Sequence, residues 1–126
     1  MSGIMSEKKT TLVLGASDNP SRYSFLAINR LRQHGHPVLA IGRKQTHVAD
    51  VAVEKEKKPF TDVDTVTLYL NPKNQKEYYD YILSLKPKRI IFNPGTENDE
   101  LAHLAERDHI EALEACTLVL LSTHQY

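Results

Sequence analysis

The 126-residue sequence holds one cysteine, Cys116, no tryptophan, five glycines and six prolines. A lone cysteine excludes an intramolecular disulfide and a thiolate zinc cluster, and it fits a reducing compartment. With glycine and proline scarce, 40% apolar and 25% charged residues, the composition excludes collagen-like and disordered chains. No sign of charge dominates: lysine plus arginine and aspartate plus glutamate number 16 each. No global positive field therefore exists to hold nucleic acid or an anionic membrane, and any anion binding must be local. Long apolar runs are also missing. The longest, Leu118 to Leu121, is far too short to cross a bilayer, and Met1 to Lys9 lacks the apolar core of a signal peptide. These absences lead to the expectation of a cytoplasmic protein. The six histidines, His34, His36, His47, His103, His109 and His124, include no helical pair at metal-ligand spacing, so no metal is expected. Ser17 has Asn19 where the second glycine of a G-x-S-x-G elbow belongs, which argues against a serine hydrolase.

What is present suits one domain, long enough to bury roughly two-thirds of the surface its unfolded chain exposes. Residues 1–9 are read as a flexible N-terminal extension and 10–126 as the domain. Thr10 to Ala16 is a short β-branched run stopping at a glycine, as a strand buried on both faces would. Ser17 to Ser21 is dense in turn and capping residues and leads into a helix from Tyr23 to His34, with Phe25, Ile28 and Leu31 on one face. Gly35 can end that helix, with His34 and His36 capping and flanking it, and Val38 to Ile41, closed by Gly42, is a second strand.

His47 to Val53 reads as a short third strand, and Glu54 to Lys58 as a solvated loop or edge. Thr65 to Leu70 is a further strand, followed by a helix with Tyr78, Ile82 and Leu85 inward. Arg89 to Phe92 is another strand, and a helix runs from about Glu97 to Arg107 with Leu101, Leu104 and Ala105 inward. At the C-terminus either Ile110 to Leu113 is the last strand, with a helical turn after Cys116, or Thr117 to Leu121 is that strand; the first is preferred. Strands alternating with helices imply a three-layer α/β domain with a mainly parallel sheet of about five strands.

In such sheets ligands bind beyond the carboxyl ends of the strands, near the point where strand order reverses. The four tips here are Gly15-Ala16-Ser17-Asp18-Asn19, Gly42-Arg43-Lys44, Asn71-Pro72 and Asn93-Pro94-Gly95. Glycine, asparagine and proline also populate ordinary turns, so the signal is their coincidence on one edge. Small residues at the first tip let a phosphate approach backbone amides, and the start of the first helix favours its charge. Asp18, beside that helix start, reads as a cap. A dinucleotide fingerprint would show G-x-G-x-x-G and an acidic residue after the second strand; this chain has G-A-S-D-N-P and Arg43-Lys44, which disfavours NAD and suits a ribose phosphate, as in NADP or coenzyme A. The tyrosines Tyr78, Tyr79 and Tyr81 point in different directions on a helix and read as core and rim packing. Cys116 reads as a buried thiol, with a mixed disulfide to the coenzyme thiol as the other possibility.

The segments LVLGASDNPSRYSF, VLAIGRK, TVTLYLNP, RIIFNPGTEND and EALEACTLVLL, in that order from about Thr11 to Thr123, resemble the small stand-alone coenzyme A-binding proteins, similar to the N-terminal domain of the succinyl-CoA synthetase alpha chain. The resemblance implies a Rossmann-like fold and binding of coenzyme A or an acyl-CoA. It implies that Gly15, Ala16, Ser17 and Asn19 cradle the pyrophosphate with Arg22 and Ser24 nearby, and that Gly42, Arg43 and Lys44 meet the adenosine phosphate end. Leu70, Asn71 and Pro72 would border adenine and ribose, Asn93, Pro94 and Gly95 the pantetheine arm, and Cys116 would lie in the last motif. Ala115 stands where that family places a charged residue before the cysteine. The synthetase's second domain, which bears a phosphorylated histidine, has no counterpart in this sequence, so binding without turnover is expected. The alternatives are an NADP-binding redox or sensor protein and a protein-interaction module with a vestigial cleft.

Overall fold

In the computed structural model, which describes residues 7–126, the chain follows a βα alternation. The elements are β1 (Thr11–Ala16), α1 (Tyr23–Gln33), β2 (Val38–Gly42), β3 (Thr46–Val48), β4 (Val51–Glu54), β5 (Thr65–Leu68), α2 (Pro72–Gln75), a 3₁₀ turn (Lys76–Tyr78), α3 (Tyr79–Leu85), β6 (Arg89–Phe92), α4 (Asp99–Arg107), β7 (Glu111–Glu114) and α5 (Thr117–Ser122). One seven-stranded sheet runs in the order β3-β4-β2-β1-β5-β6-β7. All its neighbours are parallel except β3 and β4.

The strand count corrects the expected five or so to seven, and the difference in reading lies after β2. The run read as one strand from His47 to Val53 is a hairpin, with Val48 paired to Val51 and Ala49 at a φ of 54° in the turn. Two-residue hairpin turns need left-handed backbone, which glycine or asparagine normally supplies; an alanine there leaves no turn signal to read. At the C-terminus the preferred alternative holds: β7 is the last strand, and the turn after Cys116 is α5.

Each face of the sheet carries its own core. Leu12, Leu14, Val66, Leu68, Ile90 and Phe92 point to the side covered by Ile82 of α3 and Leu101 and Ala105 of α4. Val13, Ala40 and Val53 point to the other side, against Ile28 and Leu31 of α1 and Leu121 of α5. The alternation of Leu12, Val13 and Leu14 between two cores is the strand period, and burial on both faces is why β1 reads as an unbroken apolar run.

The amino edge of the sheet is pinned by polar contacts. Lys8 donates to the carbonyl of His34, and the Lys9 amide donates to Nδ1 of His36 at 3.0 Å, so these two residues of the expected extension are held against the domain. The remaining residues of that expected extension, 1–6, lie outside the described residues. His36 is buried, with its ring 4.8 Å from that of Tyr126. Burial first, and then the charges of Lys8, His34, Lys9 and Arg89, push its pKa below the ordinary 6.5. Protonation would also remove the acceptor that Lys9 uses. A folded-state pKa below the unfolded value means stability that is present above about pH 6.5 and is lost as pH falls through that region. Denaturant unfolding is expected to show a decline in stability from pH 7 to pH 5 that is flattened in His36→Asn; an identical pH slope in the two proteins would refute the assignment.

Candidate functional site at the carboxyl edge

Strand order reverses at β1, which has β2 on one side and β5 on the other, so the crevice expected of this topology opens beyond the ends of β1 and β5. The chain is led there by a bulge between Leu14 and Ala16, at which Gly15 takes a φ of 95°. The absence of side chains at the two glycines serves internal packing. A Cβ on Gly15 would sit 3.0 Å from the backbone carbon of Tyr69, and one on Gly42 only 2.2 Å from the carbonyl oxygen of Ala16. The tips of β1, β2 and β5 can meet this closely only with glycine at both places.

Beyond Ala16 the loop is held by its own side chains. The Asn19 amide donates to Ser17 Oγ, and the Ser21 amide and hydroxyl both donate to Asn19 Oδ1. Ser17 and Asn19, named as pyrophosphate ligands, are thus also the residues that shape the loop. Arg22 occupies the N-cap position of α1 and is exposed, while Ser24 is buried in the first turn. Among the described residues no side chain caps α1 and no acid lies in its first turn, whereas α2 and α4 are capped by Asn71 and Asn98. An uncapped helix start leaves amide donors and the positive end of the helix dipole facing the crevice.

Asp18 corrects the sequence reading. It does not cap α1; its carboxylate accepts from Thr46 Oγ1 at 2.8 Å and pairs with Lys44 Nζ at 3.3 Å. The Thr46 hydrogen bond first, and then Lys44, hold its pKa below the ordinary carboxylate value. The loops after β1 and β2 are thereby tied together, and the two cations at the second tip are not equivalent. Among the described residues Arg43 makes no ion pair or side-chain hydrogen bond, while Lys44 already has a carboxylate.

The other two tips are joined by a polar network that the sequence did not reveal. Gln75 is fully buried; its Nε2 donates to the carbonyls of Leu70 and Thr96 at 2.8 Å each, and its Oε1 accepts from Asn98. Asn98 in turn donates to the Tyr79 hydroxyl, which donates to Glu100. Asn71 serves as the cap of α2, accepting from the Asn74 amide, with Pro72 at the first helical position where its missing N–H costs nothing. Asn93 is buried and its side chain is used up: Nδ2 donates to Thr67 Oγ1 and the Leu68 carbonyl, and Oδ1 accepts the Thr117 amide. Pro94 and Gly95 are exposed, and Gly95 has a φ of 91° with open space where a Cβ would be. Cys116 is half-buried at the N-cap position of α5, more open than a core thiol. Tyr69, directly after β5, is largely buried, and that burial raises its pKa.

A separate groove of about 410 Å³ lies between α4 and β7, lined by Phe92, Asn98, Asp99, Ala102, His103, Glu106, Ala112 and Glu114. Three carboxylates against one histidine make it a poor host for a phosphate. The start of α1, on the sheet edge where Arg43 and Lys44 follow β2, carries no acid in its first turn and is the opposite environment.

Comparison with known proteins supplies the family. No curated protein matches the chain. A crystal structure of an uncharacterized protein is 49% identical, with a TM-score of 0.93 over 96% of this chain and 100% of that one. A hypothetical protein from Pyrococcus horikoshii OT3 has 22% identity and a TM-score of 0.84 over 95% of this chain and 86% of that one. The dinucleotide-forming acetyl-coenzyme A synthetase 1 of Ca. Korarchaeum cryptofilum, a structure with phosphate and ADP, has 17% identity and a TM-score of 0.71, covering 84% of this chain and 25% of that one. The last two likenesses establish the Rossmann-like fold. No helix among the described residues is long and apolar enough to cross a membrane. The family model of the CoA binding domain matches residues 9–122, and with nearly the whole chain accounted for in this way, the protein belongs to the CoA binding domain family.

Proposed function

We propose that the chain binds coenzyme A or an acyl-CoA across the carboxyl edge, without turning it over. The reading rests on the start of α1, which among the described residues has neither a capping side chain nor an acid in its first turn, on the same sheet edge where Arg43 follows β2 with no ion pair among the described residues. Membership of the CoA binding domain family supports the choice of ligand. In this reading the amides from Gly15 to Asn19 that are not already used within the loop, with those at the open start of α1, neutralise the pyrophosphate, Arg22 adds charge at its margin, and Arg43 grips the ribose phosphate through two parallel hydrogen bonds. Leu70, Asn71 and Pro72 border the adenosine half. Pro94 and Gly95 flank the pantetheine arm, and Asn93 acts by position, holding α5 and therefore Cys116 in place. None of these groups is poised as a nucleophile with its base, which favours binding over catalysis.

The test is thermal unfolding with coenzyme A, dephospho-coenzyme A, acetyl-coenzyme A, NADP and NAD, because a ligand that binds only the folded state raises Tm; at a hundredfold excess over Kd the gain is about 2.7 kcal/mol. Coenzyme A is expected to raise Tm more than its dephospho form, and Arg43→Ala to remove most of that difference. A shift with NADP alone would favour the redox alternative, and no shift with any ligand would favour the interaction module.

A further inference from the structure

The charge arrangement at the tips of β1 and β2 holds one element that the binding scheme does not use. Asp18 places a carboxylate between the loop that would hold the pyrophosphate and the cations that would hold the ribose phosphate. An anion site with a fixed negative charge inside it is at odds with its own task unless that charge does something. Its contacts say what. The Asp18 side chain is 33% exposed and Lys44 70% exposed, so Lys44 is free to rotate away on its long stem, while Asp18 stays anchored by Thr46 from the start of β3. Arg43, next in the chain, faces no such competitor among the described residues.

We propose that Asp18 is a specificity-determining residue of this site: its carboxylate holds Lys44 in reserve, so that Arg43 is the standing cation and a ligand's ribose phosphate must compete with Asp18 for Lys44. The inference rests on the coenzyme A reading above. Two consequences separate it from a merely structural tie between loops. First, the carboxylate opposes the ribose phosphate twice, by direct repulsion and by occupying a cation, whereas it opposes the pyrophosphate that both ligands share by repulsion alone, so it lowers affinity for the phosphorylated ribose more than for the dephosphorylated one. Second, Lys44 contributes little while Asp18 is present and more once it is gone, which makes the two residues non-additive.

The experiment is titration calorimetry of wild type, Asp18→Asn, Lys44→Ala and the double variant with coenzyme A and dephospho-coenzyme A. Asparagine keeps the shape and an oxygen for the Thr46 hydroxyl, so the loops stay joined, and an unchanged Tm verifies this. Asp18→Asn is expected to tighten coenzyme A about fivefold relative to dephospho-coenzyme A, a scale set by single exposed ion pairs. Lys44→Ala is expected to weaken coenzyme A less than twofold alone and about fivefold in the Asp18→Asn background. If wild type binds coenzyme A but Asp18→Asn changes the two ligands equally, or weakens both, the inference fails and the binding reading stands. If neither wild type nor Asp18→Asn binds either ligand, both fail together.

Discussion

Replacing Gly42 by alanine is expected to lower Tm by roughly 10 °C. The added Cβ would lie 2.2 Å from the carbonyl oxygen of Ala16 and 3.1 Å from Val53 Cγ1. A backbone oxygen cannot swing aside as a side chain can. It belongs to the residue paired with Gly42 in the β1–β2 register, so relief requires parting the two central strands at their tips. Overpacking of this kind costs about 3 kcal/mol. The same movement displaces Arg43 and the loop after Ala16, so whatever ligand affinity the protein has should fall with it. Thermal unfolding of Gly42→Ala checks the account, and a Tm within about 2 °C of wild type would mean that the strand tips are looser than their spacing implies.

The second large effect is expected at Asn93. Its side chain supplies two hydrogen bonds to β5, at Thr67 and Leu68, and receives one from the Thr117 amide at the start of α5, at 2.6, 2.9 and 2.9 Å. Asn93→Ala leaves a buried carbonyl and a buried amide without partners, and each such group costs about 1–3 kcal/mol, for a total near 3 kcal/mol. The loss is local as well as global. Hydrogen exchange at Thr117 and through α5 should accelerate beyond the change in overall stability, because α5 is the element that Asn93 ties to the sheet. Unchanged protection in α5 would show that its packing through Leu121 suffices without the side-chain bridge.

These two residues also show how much of the protein was legible in its sequence. Gly42 and Asn93 stand out because each closes an apolar β run, and β1, β2 and β6 were readable for the same reason. Burial on both faces of a parallel sheet leaves unbroken runs of β-branched and aliphatic residues. What the pattern implied about the glycines was only half their story. They were marked for the approach of a phosphate, and the structure shows them packed against Tyr69, Leu70 and Ala16.

The β3–β4 hairpin is hard to read because its strands are only three and four residues long, and because Ala49 gives no sign of the left-handed turn it makes. Gln75 was missed for a different reason. It lies in the polar run Pro72 to Glu77, where nothing local distinguishes it from its exposed neighbours. Only the convergence of two loop carbonyls and Asn98 on one spot, a tertiary fact, makes that glutamine a core residue. Asp18 was legible as a turn residue but not as a partner of Lys44, because the two are brought together by the parallel pairing of β1 and β2 and not by proximity in sequence.

Binding at the carboxyl edge can be followed amide by amide in a titration of ¹⁵N-labelled protein with coenzyme A. Shifts are expected at the tips of the central strands: Gly15 through Asn19, Ser21 through Ser24, Gly42 to Lys44, and Leu70 with Asn71. The acidic groove lined by Asp99, Glu106 and Glu114 should stay still. Spectra that do not change at millimolar coenzyme A, or changes confined to the groove between α4 and β7, would contradict binding at the carboxyl edge.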